Sequence, residues 1–449
     1  MTEAQTNASG RVIISRRGAD RLHAGHAWVY RSDVIDAENV PPGALVTVQE
    51  LSDKSVRPTR ARPPRVLGSA LYSTASEIAL RMISTKPVHD LEQLVRERIR
   101  AAIAYRERFV QGTNAYRVIF SEADLLPGLI VDRYNDVLSF QVLTQAMDAT
   151  AQREVFLSEL QHAFSPAAIV ERVDPRVRKL EQLPDKESGV IWEDTLQPRS
   201  NPEDVATGVT PVQRDSQGIP PDPESGSAQG KPLPQLHKPN TEFRMNGIRF
   251  LYDALEGQKT GAFLDQRENY AAAAQYARGE ALDVFCYQGG FALHLAKVCE
   301  KVTGVDSSRP ALETAEQNAA LNGREIEWIE ANAFDLLRDY SDQGRQYDCI
   351  VLDPPAFAKS RQNLETALRG YKELNLRALK MLRPGGILVT CSCSYHVSSS
   401  DLTGVVQAAG LDSHRILRLL ENRGQAKDHP AVLGIPETAY LKCLMVLAS

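Results

Sequence analysis

The chain has 449 residues, of which 43% are hydrophobic and 24% charged, with a net charge of −5. That length exceeds one hydrophobic core and predicts two or three domains, and the apolar content excludes a disordered polymer. No apolar run approaches the ~20 residues of a membrane span, and the first ten residues lack an export signal's basic-then-apolar pattern.

Residues 11–88 read as a small β-rich domain, with strand-like runs at Arg11–Ser15, Leu45–Gln49, Val66–Tyr72 and Ile78–Ile83. His26-Ala-Trp-Val-Tyr30 places Trp28 and Tyr30 beside a basic segment, as base-stacking residues or as core. Arg57, Arg60, Arg62 and Arg65 share a Pro-rich loop that either tracks phosphates or is simply solvated. Over residues 1–120 the basic excess is +6, mostly arginine, so the remainder carries −11. A nucleic-acid contact is therefore expected at the front of the chain.

Residues 91–192 predict a second α+β module. A solvent-facing helix over Leu91–Phe109 precedes strands near Tyr116–Phe120, Gly128–Asp132, Val137–Leu143 and Ala168–Arg172, with a helix near Thr150–Ala163 before the last. Residues 193–240 are crowded with Pro, Ser, Gly and Gln and predict a flexible insertion, with too little apolar surface to offset ordering.

The third domain, 241–449, opens with a hairpin around Asn246-Gly247. Short apolar runs then alternate with helical pattern: Ala281–Phe285, Val302–Asp306, Ile326–Glu330, Cys349–Asp353 and Ile387–Cys391. Each ends abruptly in polar or small residues, as buried parallel strands do when their functional residues lie at the carboxyl ends. Arg415–Leu420 and Tyr440–Leu447 suggest an antiparallel pair at the sheet edge. All six cysteines fall in this last third without C-x-x-C spacing, which argues against a zinc site or disulfide framework and for a reducing cytoplasm.

Asp283-Val-Phe-Cys-Tyr-Gln-Gly-Gly290 has an acid before the turn and glycines after it, and is not the dinucleotide fingerprint. Without a lysine, a ligand with a carboxylate and an ammonium fits better than a pyrophosphate. Asp306 ends the second strand, where an acid takes ribose hydroxyls, and Asn332 follows the third, where its side-chain oxygen could accept an adenine amino group. Adenosine with an amino-acid tail is S-adenosylmethionine.

Asp353 and Cys393 leave adjacent strands into one cleft. In one chemistry the Cys393 thiolate adds to C6 of a pyrimidine and makes C5 nucleophilic, while Asp353 holds the base near N3/N4. The thiol then needs a local cation or helix end, His396 being one candidate. In the other, Asp353-Pro-Pro-Ala-Phe357 holds an exocyclic amine, Phe357 stacks on the ring, and the cysteines are bystanders. Cys286, Cys299, Cys349 and Cys443 read as core, and Cys391 as the packing member of its pair with Cys393.

At Thr260–Arg267, Phe285–Phe291, Asp353–Phe357, Arg369–Lys372, Ser392-Cys-Ser394 and Asp428-His-Pro430 the chain resembles the RlmI family. These are bacterial S-adenosylmethionine-dependent methyltransferases that make 5-methylcytosine in large-subunit ribosomal RNA. His26–Tyr30 and Ser121–Arg133 resemble that family's PUA domain and central module. The resemblance implies an α/β protein with a class I (Rossmann-like) methyltransferase sheet, an N-terminal PUA-like β-barrel over 11–88 and an α+β middle module. It implies Cys393 as nucleophile with Asp353. Phe263, Asp265, Gln266, Arg267, Asp283, Phe285, Gly289, Gly290, Asp306, Asn332, Ala333 and Asp353 would hold the cofactor. Trp28, Tyr30, Arg57, Arg60, Arg62 and Phe357 would meet the RNA. No metal and no membrane are implied, and a homodimer is allowed. Asn332 departs from the usual Asp, the arginine loop and the 195–235 segment look inserted, and the Asp-Pro-Pro loop lacks the cysteine that another cytosine-5 group uses for release. Methylation of a base nitrogen, most naturally on guanine, and a non-catalytic ribosome-assembly role are the competing readings.

Overall fold

The computed structural model describes residues 10–37, 39–51, 65–194, 240–255, 262–358 and 360–449. Arg57, Arg60, Arg62 and most of the 193–240 segment lie outside them. The N-terminal unit runs β1 (Gly10–Ile14), α1 (Arg16–His23), β2 (Trp28–Tyr30), β3 (Val34–Asp36), β4 (Leu45–Glu50), β5 (Val66–Tyr72) and β6 (Ile78–Ser84). Its six strands pair in the order β2-β6-β5-β4-β1-β3. The edge strands β2 and β3 are consecutive in the chain across one 3-10 turn, Arg31–Asp33, so the sheet curls back on itself without a closing ladder. Asp33, almost wholly buried, fixes that turn by accepting hydrogen bonds from Ser15, Arg17 and Arg21.

The central unit comprises α2 (Leu91–Phe109), β7 (Ala115–Phe120), β8 (Leu129–Tyr134), β9 (Val137–Val142), α3 (Gln145–Asp148), α4 (Thr150–Phe164), β10 (Ala168–Glu171), α5 (Pro175–Leu180) and β11 (Gly189–Glu193). The strands lie in the order β11-β10-β9-β8-β7, and α4 is the crossover between the parallel pair β9 and β10. Here α2 corrects the reading of a solvent-facing helix. Val95, Ile99 and Ala102 recur at helical spacing and are buried in this unit's core, and only the opposite face keeps the Arg/Glu pairs.

The third unit begins with the hairpin β12 (Asn240–Met245) and β13 (Ile248–Asp253). Asn246 (φ 52°) and Gly247 (φ 77°) have the two positive φ values that a two-residue turn of matching twist requires. Then follow α6 (Arg267–Tyr276), β14 (Glu280–Val284), α7 (Gly290–Leu295), β15 (Lys301–Asp306), α8 (Arg309–Leu321), β16 (Glu327–Glu330), α9 (Ala333–Asp342), β17 (Tyr347–Leu352), α10 (Leu364–Met381), β18 (Leu382–Ser392), α11 (Ser399–Asp412), β19 (Leu417–Arg423) and β20 (Lys442–Ala448). Ser308 caps α8 and Pro310 sits in its first turn.

The seven strands run β16-β15-β14-β17-β18-β20-β19, the first five parallel and β20 antiparallel to both neighbours. Apolar residues of β14, β17 and β18 are buried on both faces because helices cover both. Strand order reverses between β14 and β17, the point at which open sheets of this kind take ligands beyond their carboxyl ends. No helix among the described residues is long and apolar enough to cross a membrane.

Candidate active site

The turn leaving β14 is forced into an unusual shape. Phe285 (φ 66°) and Tyr287 (φ 49°) adopt left-handed conformations that bulky residues avoid. They persist because the Phe285 and Cys286 N–H groups both donate to the Val305 carbonyl, and the Tyr287 N–H donates to Asp306. Gly289 (φ 85°) and Gly290 follow, and a Cβ on Gly290 would lie 2.4 Å from the Tyr270 ring.

Asp283 is fully buried beneath this turn. Its Oδ2 accepts the Ala292 N–H at 2.8 Å, while Oδ1 has no partner among the described residues. Burial pushes its carboxyl up to about 8 against the Ala292 hydrogen bond, and the charges of Asp353 and Asp306 push the same way. An orphaned carboxylate oxygen beside a glycine turn suits the ammonium of an amino-acid tail. Asp306, half-buried at the end of β15, accepts the Ser308 N–H at Oδ1 and the Tyr287 N–H at Oδ2, each at 2.9 Å. One lone pair per oxygen stays available for hydroxyls.

Asn332 departs from the reading. Its Oδ1 accepts the N–H groups of Phe334 (2.9 Å) and Asp335 (3.3 Å), capping α9. The oxygen expected to meet an adenine amino group is thus shared with a helix cap. Ala333 is buried in the first turn of that helix.

The Phe263–Arg267 segment divides by role. Phe263 meets Tyr287 edge-on at 5.0 Å, beside the glycine turn. Asp265 accepts the Tyr440 hydroxyl at 2.6 Å through Oδ2, and its Oδ1 lacks a partner among the described residues. Gln266 donates to Asp353 Oδ2 at 2.9 Å and is itself held by Asn269. Arg267 corrects the expectation of a cofactor contact. Almost wholly buried, it makes a two-pronged ion pair with Asp428 at 3.1 Å for each bond. Asp428 also accepts the Arg117 N–H, and its carbonyl accepts from Arg106, which ties α2 and β7 to this loop.

The reactive end is built by alternation. Parallel β17 and β18 pair Leu352 with Thr390, so Asp353 leaves β17 beside Cys391, two residues short of Cys393. Ser392 and Ser394 are fully buried, and both hydroxyls bond the Tyr371 hydroxyl from α10, at 2.8 and 3.1 Å. Successive side chains on an extended backbone point opposite ways, so Cys393 between them leaves on the face opposite the serines, and it is half-buried. Ser394 Oγ also accepts the Ala358 N–H, stitching the Asp353–Ala358 loop to this strand end. Burial pushes Asp353 up to about 7, the charge of Asp265 adds to this, and the Gln266 N–H opposes it. Cys391 is fully buried opposite Cys443, and Cys286 and Cys349 are also core; Cys299 is only half-buried.

Two residues here escape a reading by sequence. Tyr371 lies in the quoted Arg369–Lys372 motif, but its pairing with the serines depends on how α10 packs. Lys442 sits in an apolar run, opposite Ser392 across β18 and β20, and its ammonium bonds the Ser394 and Tyr440 carbonyls at 2.6 and 2.8 Å. The odd lysine was visible; its register was not.

The residues expected to meet RNA scatter. Trp28 is partly buried, and its indole N–H donates to Glu122 of the central unit. Tyr30 is half-buried with the Arg21 guanidinium 4.8 Å over its ring. Phe357 is half-buried and packs on Tyr371 (4.8 Å) and Phe334 (5.9 Å).

This sheet order, with acids at the ends of β14, β15 and β17 around a glycine turn, defines a methyltransferase that takes its methyl group from S-adenosylmethionine. The S-adenosylmethionine-dependent methyltransferase family matches residues 223–441, and the PUA-like domain family matches residues 12–56. Among curated proteins, "Ribosomal RNA large subunit methyltransferase I" of Shewanella denitrificans is 36% identical over 94% of this chain and 96% of its own. The protein of the same name from Photobacterium profundum is 33% identical over 94% and 95%. The chain belongs to the ribosomal RNA large subunit methyltransferase I family. The solved structure of "a putative sam-dependent methyltransferase from Streptococcus mutans" shares the fold at 17% identity, with a TM-score of 0.71 over 97% of this chain and 99% of that one.

Proposed function

We propose that the protein transfers a methyl group to C5 of a cytosine in large-subunit ribosomal RNA, through a transient bond from Cys393 to the base. The observation that carries this is half-buried Cys393 at the end of β18, two residues past Cys391, which lies beside Asp353 at the end of neighbouring β17. The relatives' printed name supplies the RNA. S-adenosylmethionine, when bound, supplies an electrophilic methyl on sulfur, with Asp283 suited to its ammonium and Asp306 to its ribose.

Asp353 holds its proton close to neutrality and so can donate to N3 of cytosine, drawing electrons from the ring. The Cys393 thiolate then forms a bond to C6, and the C5=C6 electron pair becomes the nucleophile that takes the methyl. Loss of the C5 proton expels the thiolate, so the net change is C5–H to C5–CH3 with one proton released. The nitrogen-directed alternative would use Phe357, half-buried beside Tyr371 and Phe334, to stack on the base and would leave Cys393 without a role.

RNA carrying 5-fluorocytosine tests this, because fluorine blocks the final elimination. Wild type should form a cofactor-dependent covalent complex, stable in denaturant, and Cys393→Ala none. Nucleoside mass spectrometry should show 5-methylcytidine. Substantial methylation by Cys393→Ala would end the covalent reading.

A further inference from the structure

The covalent reading leaves one requirement open. A free thiol ionises near ~8.5 and needs a local cation to be a thiolate at neutral pH. His396, three residues on, turns its ring against Tyr395. Lys442 is better placed. It is nearly buried, and although its register sets its stem on the face of Ser392, its ammonium reaches past the end of β18 to the carbonyl of Ser394, the residue after the cysteine, at 2.6 Å. Two carbonyls take two of its three N–H bonds.

We propose that Lys442 is a positioning cation for Cys393, its anchored ammonium favouring the thiolate form of that side chain. The proposal rests on the covalent reading for its purpose, though not for its measurement. The other charged or titratable groups around the pair are Asp401 at the start of α11, Tyr371 on α10, Asp353 after β17, and Tyr440 and His396 nearby. Asp401 is the carboxylate acting on Lys442, and it is committed to the capping box of α11. Burial lowers the Lys442 ammonium to about 8, while the charges of Cys393 and Asp401 hold it up, so it is mostly protonated at pH 7. The pair would attract each other at neutrality, with the ammonium held by its bond to the Ser394 carbonyl.

The test needs neither RNA nor cofactor. The rate of iodoacetamide alkylation of Cys393 is followed against pH in the full-length protein by peptide mass spectrometry, with half-buried Cys299 as internal reference. Wild type should inflect below ~8.5. Lys442→Gln should move the inflection up about one unit, slowing alkylation about tenfold at pH 7. Lys442→Arg should restore much of the rate, and Cys299 should not change. A wild-type inflection at or above ~8.5 overturns the proposal without any variant. So does a folded Lys442→Gln protein, checked by its melting curve, whose Cys393 profile matches wild type. A shifted thiol with no 5-fluorocytosine adduct would keep the Lys442–Cys393 pair and remove cytosine C5 as its target. An adduct with an unshifted thiol would do the reverse.

Discussion

Asp428 and Asp283 are both fully buried carboxyls of the third unit, and their surroundings push them in opposite directions. Burial alone would raise both. At Asp428 the His429 ring, the two-pronged Arg267 guanidinium and the Arg117 N–H outweigh burial and hold the carboxyl well below the usual range. At Asp283 one backbone N–H is the only compensation among the described residues, and neighbouring Asp353 and Asp306 are acids. The first carboxylate is internally neutralised and ties two units together. The second is left short of a cation at the point where a cationic cofactor belongs, and Asp353 resembles it. A structural acid and a binding acid thus differ less in burial than in whether the protein supplies the counter-charge.

Removing the neutralised acid should cost most. Asp428→Ala leaves Arg267 buried without its partner, and such losses run to roughly 3–5 kcal/mol. A large fall in the urea midpoint is expected, and a midpoint within error of wild type would mean that the network contributes nothing.

Asp283→Asn should instead spare or improve the empty protein's stability and weaken S-adenosylmethionine binding about 10- to 100-fold, the worth of a charge-assisted hydrogen bond. Its pH signature is specific. Between the unfolded value of ~3.9 and about 8, native Asp283 keeps a proton that the unfolded chain has released. Its contribution to stability is therefore full below ~3.9 and lost as pH rises through about 8. The variant should flatten that slope. Binding at pH 7 should release about one proton, read by calorimetry in buffers of different ionisation enthalpy. Equal heats after correction, with no proton released, would contradict the assignment.

Tyr371→Phe should cost about 1–2 kcal/mol of stability for the lost bridge, well short of the Asp428 loss. It should still lower kcat more than it raises KM, since it frees the serines that orient Cys393. An unchanged kcat would separate that orientation from catalysis.

Much of the architecture was legible because buried parallel strands write themselves as apolar runs with sharp ends. Val302–Asp306 and Ser308-Arg-Pro310 read almost as they fold, and so does the Asn246-Gly247 turn. Asp353 and Cys393 stood out because they follow such runs. The errors share one cause, which is tertiary choice among equivalent polar groups. Nothing local tells Arg267 to seek Asp428, 161 residues away, or tells Asn332 to spend its oxygen on a helix cap. The face of α2 that turns inward, and the register that sets Lys442 opposite Ser392, are likewise settled only by packing.

The Ser392-Cys-Ser394 trio has a consequence for how the sequence can change. Tyr371 grips every second side chain, so a single-residue insertion or deletion within β18 upstream of the trio would exchange the inward and outward sets. The sulfur would be sealed beneath the sheet and a hydroxyl shown to the substrate, with composition and fold otherwise nearly unaltered. Length variation here is therefore a switch with two positions, and point substitutions alone would never reveal it.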